Sequence, residues 1–300
     1  MKPKFDVVGH RRWWFTISGL AVILSLISML WHGFNLGIDF TGGTMLDLKF
    51  DKAVTVSQVR DVLKDYQLEG SVIQLSGESE GEAAKGVFIR SHVLEESEQR
   101  NVLAGLGSKL GHFDLLRIEK VGATVGAELT MNAIWSLVLS WVLIIAYISY
   151  RFEFRFAISG ILALVHNVIV VLGIFSILQR EIDASFIAAL LTVLGYSIHD
   201  TIVIFDRIRE NLKSYRKGQS LAELVNKSIW QTMTRSIYTV LTVVFSVLAL
   251  FLFGGDTTKD FSLALLVGFI VGAYSSIFNA AQFWEVWREY DARKLAMKRG

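Results

Sequence analysis

Six long apolar runs constrain this chain of 300 residues more than any other feature of its sequence. A helix needs roughly 20 mostly apolar residues to cross the hydrocarbon core of a bilayer, and each run has about that length and few charges. The runs cover residues 13–31, 129–150, 156–178, 184–205, 233–253 and 261–284. With 52% hydrophobic and 19% charged residues, the composition is more apolar than that of a soluble domain. The pattern predicts an α-helical membrane protein with six transmembrane helices.

The first run follows four basic residues, as the apolar segment of a secretory signal peptide does. It is longer than the usual apolar segment of such a signal, and WHGF at residues 31–34 follows it in place of a small-residue cleavage site. We therefore expect the run to be retained as the first transmembrane helix.

Residues 33–128, between the first and second runs, have the pattern of an extramembrane α+β domain. TMLDLKF at residues 44–50 alternates apolar and polar side chains as a strand does, and residues 56–66 have helical spacing. Thr55 and Gln58 form a capping box at the start of that helix. Further strands are predicted at 72–75, 86–93 and 113–121, with a helix at 95–110. The order β-α-β-β-α-β predicts a ferredoxin-like domain.

The distribution of Lys and Arg predicts the orientation, because short cytoplasmic segments carry an excess of them. Four segments on one side are basic: the N-terminus at 1–12, the loop at 151–155, the loop at 206–232 and the tail at 285–300. Their basic residues are Lys2, Lys4, Arg11, Arg12, Arg151, Arg155, Arg207, Arg209, Lys213, Arg216, Lys217, Lys227, Arg288, Arg293, Lys294, Lys298 and Arg299. The two short loops on the other side contain only Arg180 and Lys259. We therefore expect both termini in the cytoplasm and the α+β domain outside it, in the periplasm or an equivalent extracytoplasmic space.

The loop at 206–232 is predicted to contain an amphipathic helix, because Ser220 and Glu223 form a second capping box. Its apolar face consists of Leu221, Leu224, Val225 and Ile229. The helix could lie on the membrane or on neighbouring cytoplasmic loops, or it could be a packed connector.

Asp200 and Arg235 are the leading candidates for function, because an ionisable side chain inside a membrane span is costly. Asp200 lies about 7.5 Å from the middle of the fourth run, and Arg235 about 12 Å from the middle of the fifth run on the same side. An arginine side chain can bridge the difference of about 4.5 Å. A carboxylate facing a guanidinium away from water can take up a proton when its partner moves, so the pair could couple to protons. A static ion pair, or an Arg235 that reaches the lipid headgroups, is the structural alternative.

Several neighbours are secondary candidates. His199 makes the surroundings of Asp200 polar, and Gly195 would let another helix approach closely. Asp206 and Arg207, at the end of the same span, could belong to the site or be ordinary interfacial charges. Arg207 shares a helix face with Asp200, because the two are seven residues apart.

Two further spans carry small or polar residues. His166 and Asn167 in the third span could relay protons, although a hydrogen-bonded interhelical pair is the simpler interpretation. Gly268 and Gly272 form a GxxxG pattern in the sixth span, which predicts a packing face for another helix.

The segment GIDFTGG at residues 37–43 follows the first span directly. Gly37, Gly42 and Gly43 permit backbone conformations that other residues avoid, so these glycines and Asp39 are candidates for a joint or hinge below the outer domain. Phosphate binding is the weaker alternative, because no lysine follows at the spacing of a nucleotide-binding loop.

The sequence carries no recognisable enzyme motif, and with no cysteine and six histidines that lack metal-site spacing it proposes no metal site. We expect no enzymatic activity and no cofactor. The predicted outer domain has more acidic than basic residues, which argues against nucleic acid as a partner.

Several stretches resemble the SecF branch of the SecD/SecF family of bacterial protein export. They are GIDFTGGT at 37–44, VGATVGAEL at 121–129 and GYSIHDTIVIFDRIREN at 195–211. NKSIWQTMTRSIYT at 226–239 and the stretch 268–276 are similar to further family blocks, so the resemblance covers essentially the whole chain.

The resemblance implies a place in the resistance-nodulation-division superfamily and in the bacterial cytoplasmic (inner) membrane. It implies SecD as the partner in a heterocomplex, the SecYEG channel with YajC and YidC as associated proteins, and an exported preprotein as the cargo. The family uses the proton motive force to complete export after the ATPase SecA has driven insertion. Asp200 matches an Asp, and Arg235 an Arg, that the family is thought to use in proton conduction where SecF meets SecD. The main proton-accepting Asp of the family lies on SecD, so Asp200 would be auxiliary.

These features lead us to expect a non-enzymatic, proton-coupled accessory subunit of preprotein translocase. An assembly scaffold that holds SecD to the channel is one alternative. A proton-coupled exporter of small solutes is another, although a chain with one outer domain has little from which to build a solute-binding site.

Overall fold

The computed structural model describes residues 5–80, 82–215 and 220–297. Six of the basic residues that predict the orientation lie outside this part of the chain: Lys2, Lys4, Arg216, Lys217, Lys298 and Arg299. The chain forms two compact units, a helical unit of Met1–Asn35 with Trp135–Gly300 and a sheet unit of Leu36–Ile134.

The helices and strands follow one another as α1 (Arg11–His32), β1 (Asn35–Leu36), α2 (Ile38–Thr41), β2 (Gly43–Thr55), α3 (Val56–Lys64), β3 (Val72–Glu80), β4 (Ala83–Ser91), α4 (Glu96–Leu110), β5 (Phe113–Val121), α5 (Ala123–Arg151), α6 (Phe154–Leu178), β6 (Glu181–Ile182), α7 (Ala184–Leu212), α8 (Leu221–Phe253), α9 (Lys259–Ser275) and α10 (Ala281–Met297). A single 3₁₀ turn, Asp256–Thr258, precedes α9, and a π-helical segment, Ser276–Ala280, joins α9 to α10.

Within the described residues, six helical segments are long and apolar enough to cross a membrane. They are α1, α5, α6, α7, α8 and the continuous segment from α9 into α10. The predicted six-helix membrane architecture, with a small sheet domain after the first helix, is therefore confirmed. The most buried of the six are α6, α7 and the α9–α10 segment, whereas few residues of α1, α5 and α8 are buried.

The sheet unit contains a four-stranded antiparallel sheet in the order β3-β4-β2-β5. In the register, Leu46 of β2 lies between Ile89 of β4 and Ile118 of β5. Alternate residues of β2 enter a core that α3 and α4 also line. This order and pairing are consistent with the predicted ferredoxin-like arrangement. Helix α3 begins with the predicted capping box, in which Gln58 N donates to Thr55 Oγ1 at 3.2 Å and Thr55 N donates to Gln58 Oε1 at 2.9 Å.

Small residues bring α7 and α9 into close contact in the helical unit. The facing residues, four apart on each side, are Val193, Ser197 and Thr201 on α7 and Gly268, Gly272 and Ser276 on α9 and the residue after it. A methyl group at Gly268 would overlap the Val193 side chain, and one at Gly272 would overlap the Ser197 Oγ. The GxxxG face of the sixth span therefore packs against the fourth span of the same chain.

Helix α8 differs from the prediction of a separate amphipathic helix followed by a span that starts at residue 233. It runs uninterrupted over Leu221–Phe253, because that stretch contains neither glycine nor proline. The apolar residues Val225 and Ile229 are fully buried. Asn226 Oδ1 accepts from Val7 N at 2.9 Å, and Trp230 Nε1 donates to Phe5 O at 2.8 Å. The amphipathic stretch is thus a packed first part of the membrane helix.

The sixth span also extends beyond its predicted end at residue 284, and helix α10 reaches Met297. Its polar part is anchored to α1: Arg11 Nη1 donates to Glu285 Oε2 at 2.5 Å and Arg11 Nη2 to Glu289 Oε2 at 3.3 Å. The Glu285 side chain is completely buried. An ion pair between the first and last helices therefore allows a charged residue inside the bundle.

Candidate functional site

Asp200 lies in the interior of α7 and is 7% exposed. Its Oδ1 accepts a hydrogen bond of 2.6 Å from Ser236 Oγ of α8. The second oxygen, Oδ2, is buried and has no hydrogen-bond partner in the described part of the chain. A buried carboxylate with one satisfied oxygen is costly as an anion, which makes it a suitable place for a proton to bind.

Arg235 does not form the predicted direct pair with Asp200. Successive residues of a helix point about 100° apart, so Ser236 faces α7 while the neighbouring Arg235 is exposed. No ion pair joins the two among the residues that the structure describes. Asp200 is therefore held by a hydroxyl group, with the cation on an adjacent outer face of α8.

That outer face continues onto α7 as a polar stripe. Its exposed small and polar residues include Thr192, Gly195 and His199 on α7 and Arg235, Thr242 and Ser246 on α8; we call this set the α7–α8 polar face. Tyr196 OH donates to Thr239 O at 2.8 Å, so the two stripes are neighbours. A methyl group at Gly195 would have nothing within 4 Å, so the predicted close approach at Gly195 does not occur within this chain. The position of Gly195 leaves it available to another helix.

The interior side of α7 carries a second group of polar residues. Ser276 Oγ lies 2.8 Å from Thr201 Oγ1 and donates to Ser197 O at 3.2 Å. Opposite them on α6, His166 Nδ1 lies 3.2 Å from Asn167 Oδ1. The predicted interhelical His166–Asn167 pair is therefore a contact between adjacent residues of one helix. Sequence reasoning did not predict that Ser276 contacts the Ser197 carbonyl group, although serines spaced with GxxxG are a recognisable signal of a polar helix interface.

The π-helical segment adds a link to the first helix. Asn279 Oδ1 accepts from Ser18 Oγ at 3.0 Å, and Ser18 Oγ lies 3.0 Å from Tyr274 OH. Tyr274 OH in turn donates to Trp14 O at 3.0 Å. The extra residue per turn of a π segment points Asn279 toward α1, in a region that the sequence pattern gave no reason to single out.

Asp206 and Arg207 lie apart from the buried site. Asp206 Oδ1 accepts from Arg209 at 2.7 Å, and Arg207 donates to Glu210 Oε2 at 2.8 Å. Both are exposed pairs three residues apart on one helix, as is usual where a helix leaves the membrane. This geometry favours the interfacial interpretation of these two residues.

The glycines after the first span belong to the sheet unit. Gly42 and Gly43 have φ angles of +69° and +135°, which favour glycine. A methyl group at Gly43 would overlap the carbonyl oxygen of Ser91, and one at Gly42 would lie 3.0 Å from Ala123 Cα. Both positions thus depend on the absence of a side chain.

Gly37 and Asp39 complete this joint. Gly37 is the N-cap of the short helix α2, and Asp39 lies in its first turn. The close packing suits a stiff joint within the sheet unit, and a hinge role for these four residues stays a prediction. The described side chains contain no group of three or more His, Asp or Glu residues that could hold a metal ion.

Comparison with known proteins identifies the family. The family model described as "Protein export membrane protein SecD/SecF, C-terminal" matches residues 103–290, and the model "SecD/SecF GG Motif" matches residues 27–54. The second range contains Gly42 and Gly43, the two glycines whose positive φ angles and nearby backbone atoms leave no room for a side chain.

Whole-chain relatives agree. A protein of Acidaminococcus fermentans named "Protein translocase subunit SecF" is 53% identical over 287 residues, covering 95% of this chain and 98% of the relative. The "Protein translocase subunit SecDF" of Bacillus subtilis is 38% identical, covering 97% of this chain and 39% of that longer protein. The crystal structure of SecDF from Thermus thermophilus, titled as a translocon-associated membrane protein, matches with a TM-score of 0.88 at 36% identity. That match covers 96% of this chain and 39% of the solved one. The sequence blocks, the six-helix fold and these matches together show that the chain belongs to the SecD/SecF family of protein export membrane proteins.

Proposed function

We propose that this chain is a non-enzymatic accessory subunit of preprotein translocase that, together with SecD, couples the proton motive force to late steps of protein export. The observation that carries the proposal is the Asp200 carboxylate, which is buried within a membrane helix and has a hydrogen bond to only one oxygen. A proton binding at Oδ2 would neutralise the group while Ser236 continues to donate to Oδ1. Relatives named as subunits of protein translocase support protein export as the process in which this proton binding at Asp200 would act.

The α7–α8 polar face supports SecD as the partner. An exposed Arg235 and His199 on membrane helices are costly against lipid, and Gly195 beside them allows a partner helix to approach closely. In the SecDF proteins of B. subtilis and T. thermophilus this chain corresponds to 39% of the length, so a similar unit is fused there to further sequence. We infer that a SecD helix covers this face. SecYEG, YajC, YidC and the preprotein are further partners in the proposal.

The proposed coupling starts with the charge on Asp200. An ionised Asp200 attracts Arg235 on the neighbouring α8, and a protonated one does not. The hydrogen bond between Tyr196 and Thr239 connects the same two helices, so a change in attraction acts directly on their packing. In this proposal the packing change is passed to the outer domain, which moves relative to the membrane as protons pass through the complex.

Asp200→Asn tests the proposal, because it keeps the shape of the side chain and removes its titration. Export of a preprotein is measured with and without a proton gradient, at equal protein level and equal association with SecD. We expect the gradient-dependent part of export to disappear and the gradient-independent part to remain. Asp206→Asn is the matched control, since Asp206 is exposed at the end of the same helix, and it should leave both parts unchanged.

Unchanged export in Asp200→Asn would contradict the proposal. Asp200 would then be a structural group, coupling would depend on SecD alone, and the scaffold alternative would become the better one. The comparisons give no support to the small-solute exporter.

We also propose that both termini are cytoplasmic and that the sheet unit is extracytoplasmic. The absence of cysteine allows a direct test with single substitutions at exposed positions, Glu69→Cys in the sheet unit and Ser214→Cys after α7. A membrane-impermeant maleimide should label Glu69→Cys in spheroplasts and Ser214→Cys only in inverted vesicles. Labelling in the opposite compartments would reverse the orientation.

A further inference from the structure

Several buried polar atoms of the helical unit have no hydrogen-bond partner among the described residues, and two of them lie on the neighbouring helices α6 and α7. Asn167 of α6 and Ser197 of α7 are 1% and 2% exposed. The Asn167 Nδ2 and the Ser197 Oγ make no hydrogen bond within the described residues. Leaving a buried amide or hydroxyl without a partner is costly, so such groups are generally satisfied by ordered water.

Gly272 of α9 adjoins both of these atoms. The position of a methyl group at Gly272 would overlap the Ser197 Oγ and lie 3.7 Å from the Asn167 Nδ2. The glycine therefore faces both unpartnered atoms. Because His166 Nδ1 contacts Asn167 Oδ1, the amide nitrogen of Asn167 is the end that remains available as a donor.

Asp200 lies beside Ser197 on α7. Ser197 precedes Asp200 by three residues on α7, and side chains at this spacing are neighbours on a helix surface. The Asp200 Oδ2 is a third buried atom without a partner in the described chain. An amide donor, a hydroxyl and a carboxylate oxygen together meet the two to four polar partners that a buried water requires.

We propose that Asn167, Ser197 and Gly272 form an internal water site that hydrates the second oxygen of Asp200 from within this chain. It lies on the interior side of α7, about 200° around the helix from Gly195 on the α7–α8 polar face. The inference deepens the proposed function, because it gives the Asp200 carboxylate a source of protons separate from the partner's face. Asn167 acts as a positioning residue that holds the water.

The neighbouring hydroxyl groups bound the site. Thr201 Oγ1 donates to Ser197 O at 3.0 Å, and Ser276 Oγ is engaged with Thr201 and with the same carbonyl oxygen. These groups already have partners and do not need water. The hydroxyl groups of Thr201 and Ser276 are therefore not part of the proposed water site.

Substitution of serine by cysteine provides a local probe of water access. The wild-type chain has no cysteine, so the infrared S–H band of Ser197→Cys can be isolated by subtracting the spectrum of the wild-type chain in complex with SecD. The measurement is the rate at which this band shifts to S–D after transfer of the complex into D₂O. Ser275→Cys is the control, because Ser275 is 1% exposed on the neighbouring helix and its hydroxyl is satisfied by Gly272 O at 3.1 Å.

We expect the S–H group of Ser197→Cys to exchange at least about tenfold faster than that of Ser275→Cys, because exchange requires water at the sulfur. Adding Asn167→Leu, which removes the amide but keeps a similar volume, should slow the exchange at Ser197→Cys toward the control rate. If Asn167→Leu does not assemble with SecD, Gly272→Ala takes its place with Gly268→Ala as its control. Gly268→Ala crowds the apolar Val193 on the same helix pair without touching the polar atoms.

Equal exchange rates at Ser197→Cys and Ser275→Cys would overturn the water site, as would an exchange at Ser197→Cys that the second substitution leaves unchanged. Its failure is distinct from failure of the proposed function. Slow exchange together with a loss of gradient-dependent export in Asp200→Asn removes the water site and leaves the function. Fast exchange together with unchanged export in Asp200→Asn supports the water site and contradicts the proposed function.

Discussion

Two adjacent residues on α8 make different contacts, because successive side chains point in different directions around the helix axis. The depth of Asp200 and Arg235 can be calculated from the sequence, because each residue advances a helix by about 1.5 Å. The direction of each side chain depends on which face of α8 meets α7, which the sequence of α8 does not state. Ser236 meets the carboxylate, and Arg235 turns outward toward the α7–α8 polar face. Arg235, which faces outward, and Ser236, which faces the interior of this chain, are thus adjacent in sequence.

Gly43 is the residue whose substitution should damage the sheet unit most directly. Gly43→Ala would place a methyl group on the Ser91 carbonyl oxygen at a φ of +135°. We expect a loss of at least about 2 kcal/mol in the free energy of unfolding, from backbone strain and the overlap together. The measurement is denaturant unfolding of the full chain in detergent. Protease cleavage within Leu36–Ile134 serves as the readout for unfolding of the sheet unit.

Gly70→Ala is the control for this substitution. Gly70 is exposed, and a methyl group there has nothing within 4 Å. It should change stability by no more than about 0.5 kcal/mol. Equal unfolding curves for the two variants would show that the strain at Gly43 is relieved by local movement.

At the scale of elements, the sequence predicts those helices and strands that depend on the length of an apolar run or on local cap and turn residues. The six runs, the capping box at Thr55 and the antiparallel β-α-β-β-α-β order follow from local patterns, because each helix or strand carries its own period. The continuity of α8 could have been inferred from its lack of glycine and proline, but the prediction separates an amphipathic helix from a span that starts at residue 233. The π-helical segment Ser276–Ala280 could not be predicted, because it depends on contacts with α1 and α7 that are distant in sequence.

The same limit applies to the candidate site. Asp200 is identifiable as an ionisable residue in an apolar run, whereas its hydrogen-bond donor Ser236 is an ordinary polar residue whose importance comes from the helix that it faces. GxxxG at Gly268 and Gly272 predicted a helix contact without the identity of the other helix. The structure supplies that identity as α7, and with it the neighbourhood of Asp200.

The ion pair of Arg11 and Glu285 connects the first and last helices, and we predict that it is needed for their packing. Arg11→Ala would leave a completely buried carboxylate without its cation. The expected cost is about 3 kcal/mol, because removing one member of a buried pair exposes the full desolvation penalty of the other. Thermal unfolding of the full chain in detergent measures it as a lower midpoint.

Arg207→Ala is the matched control, since it breaks an exposed pair with Glu210 three residues along one helix. It should cost less than about 1 kcal/mol. Glu285→Gln should fall between the two, because the amide keeps the shape and one hydrogen-bonding oxygen. Equal midpoints for Arg11→Ala and Arg207→Ala would mean that water reaches Glu285.

At the scale of the whole molecule, the helices present two kinds of outer surface. The exposed residues of α1 and α5 include many large apolar side chains, among them Leu30, Trp135 and Leu143, which are suited to lipid. The α7–α8 polar face is different, because it combines an ionisable arginine and histidine with a glycine and hydroxyl groups. A surface of this kind is expected to be covered by protein, and the fused SecDF relatives make SecD the natural partner.

Gly195→Leu is predicted to separate this chain from SecD without unfolding it. Because nothing lies within 4 Å of the Cβ position at Gly195 and the residue is exposed, the substitution should leave the thermal unfolding of the isolated chain unchanged. A partner helix that approaches closely at the glycine would instead meet a leucine, so co-purification of SecD should fall at least about tenfold, equivalent to about 1.4 kcal/mol.

Gly19→Leu makes the same change on α1, where a methyl group also has nothing within 4 Å and the surroundings are apolar, and it should retain SecD. If both variants retain SecD equally, the partner does not dock at Gly195, and the exposed Arg235 and His199 must be covered in another way. If both lose it, α1 also contacts the partner, and the interface extends well beyond the α7–α8 polar face.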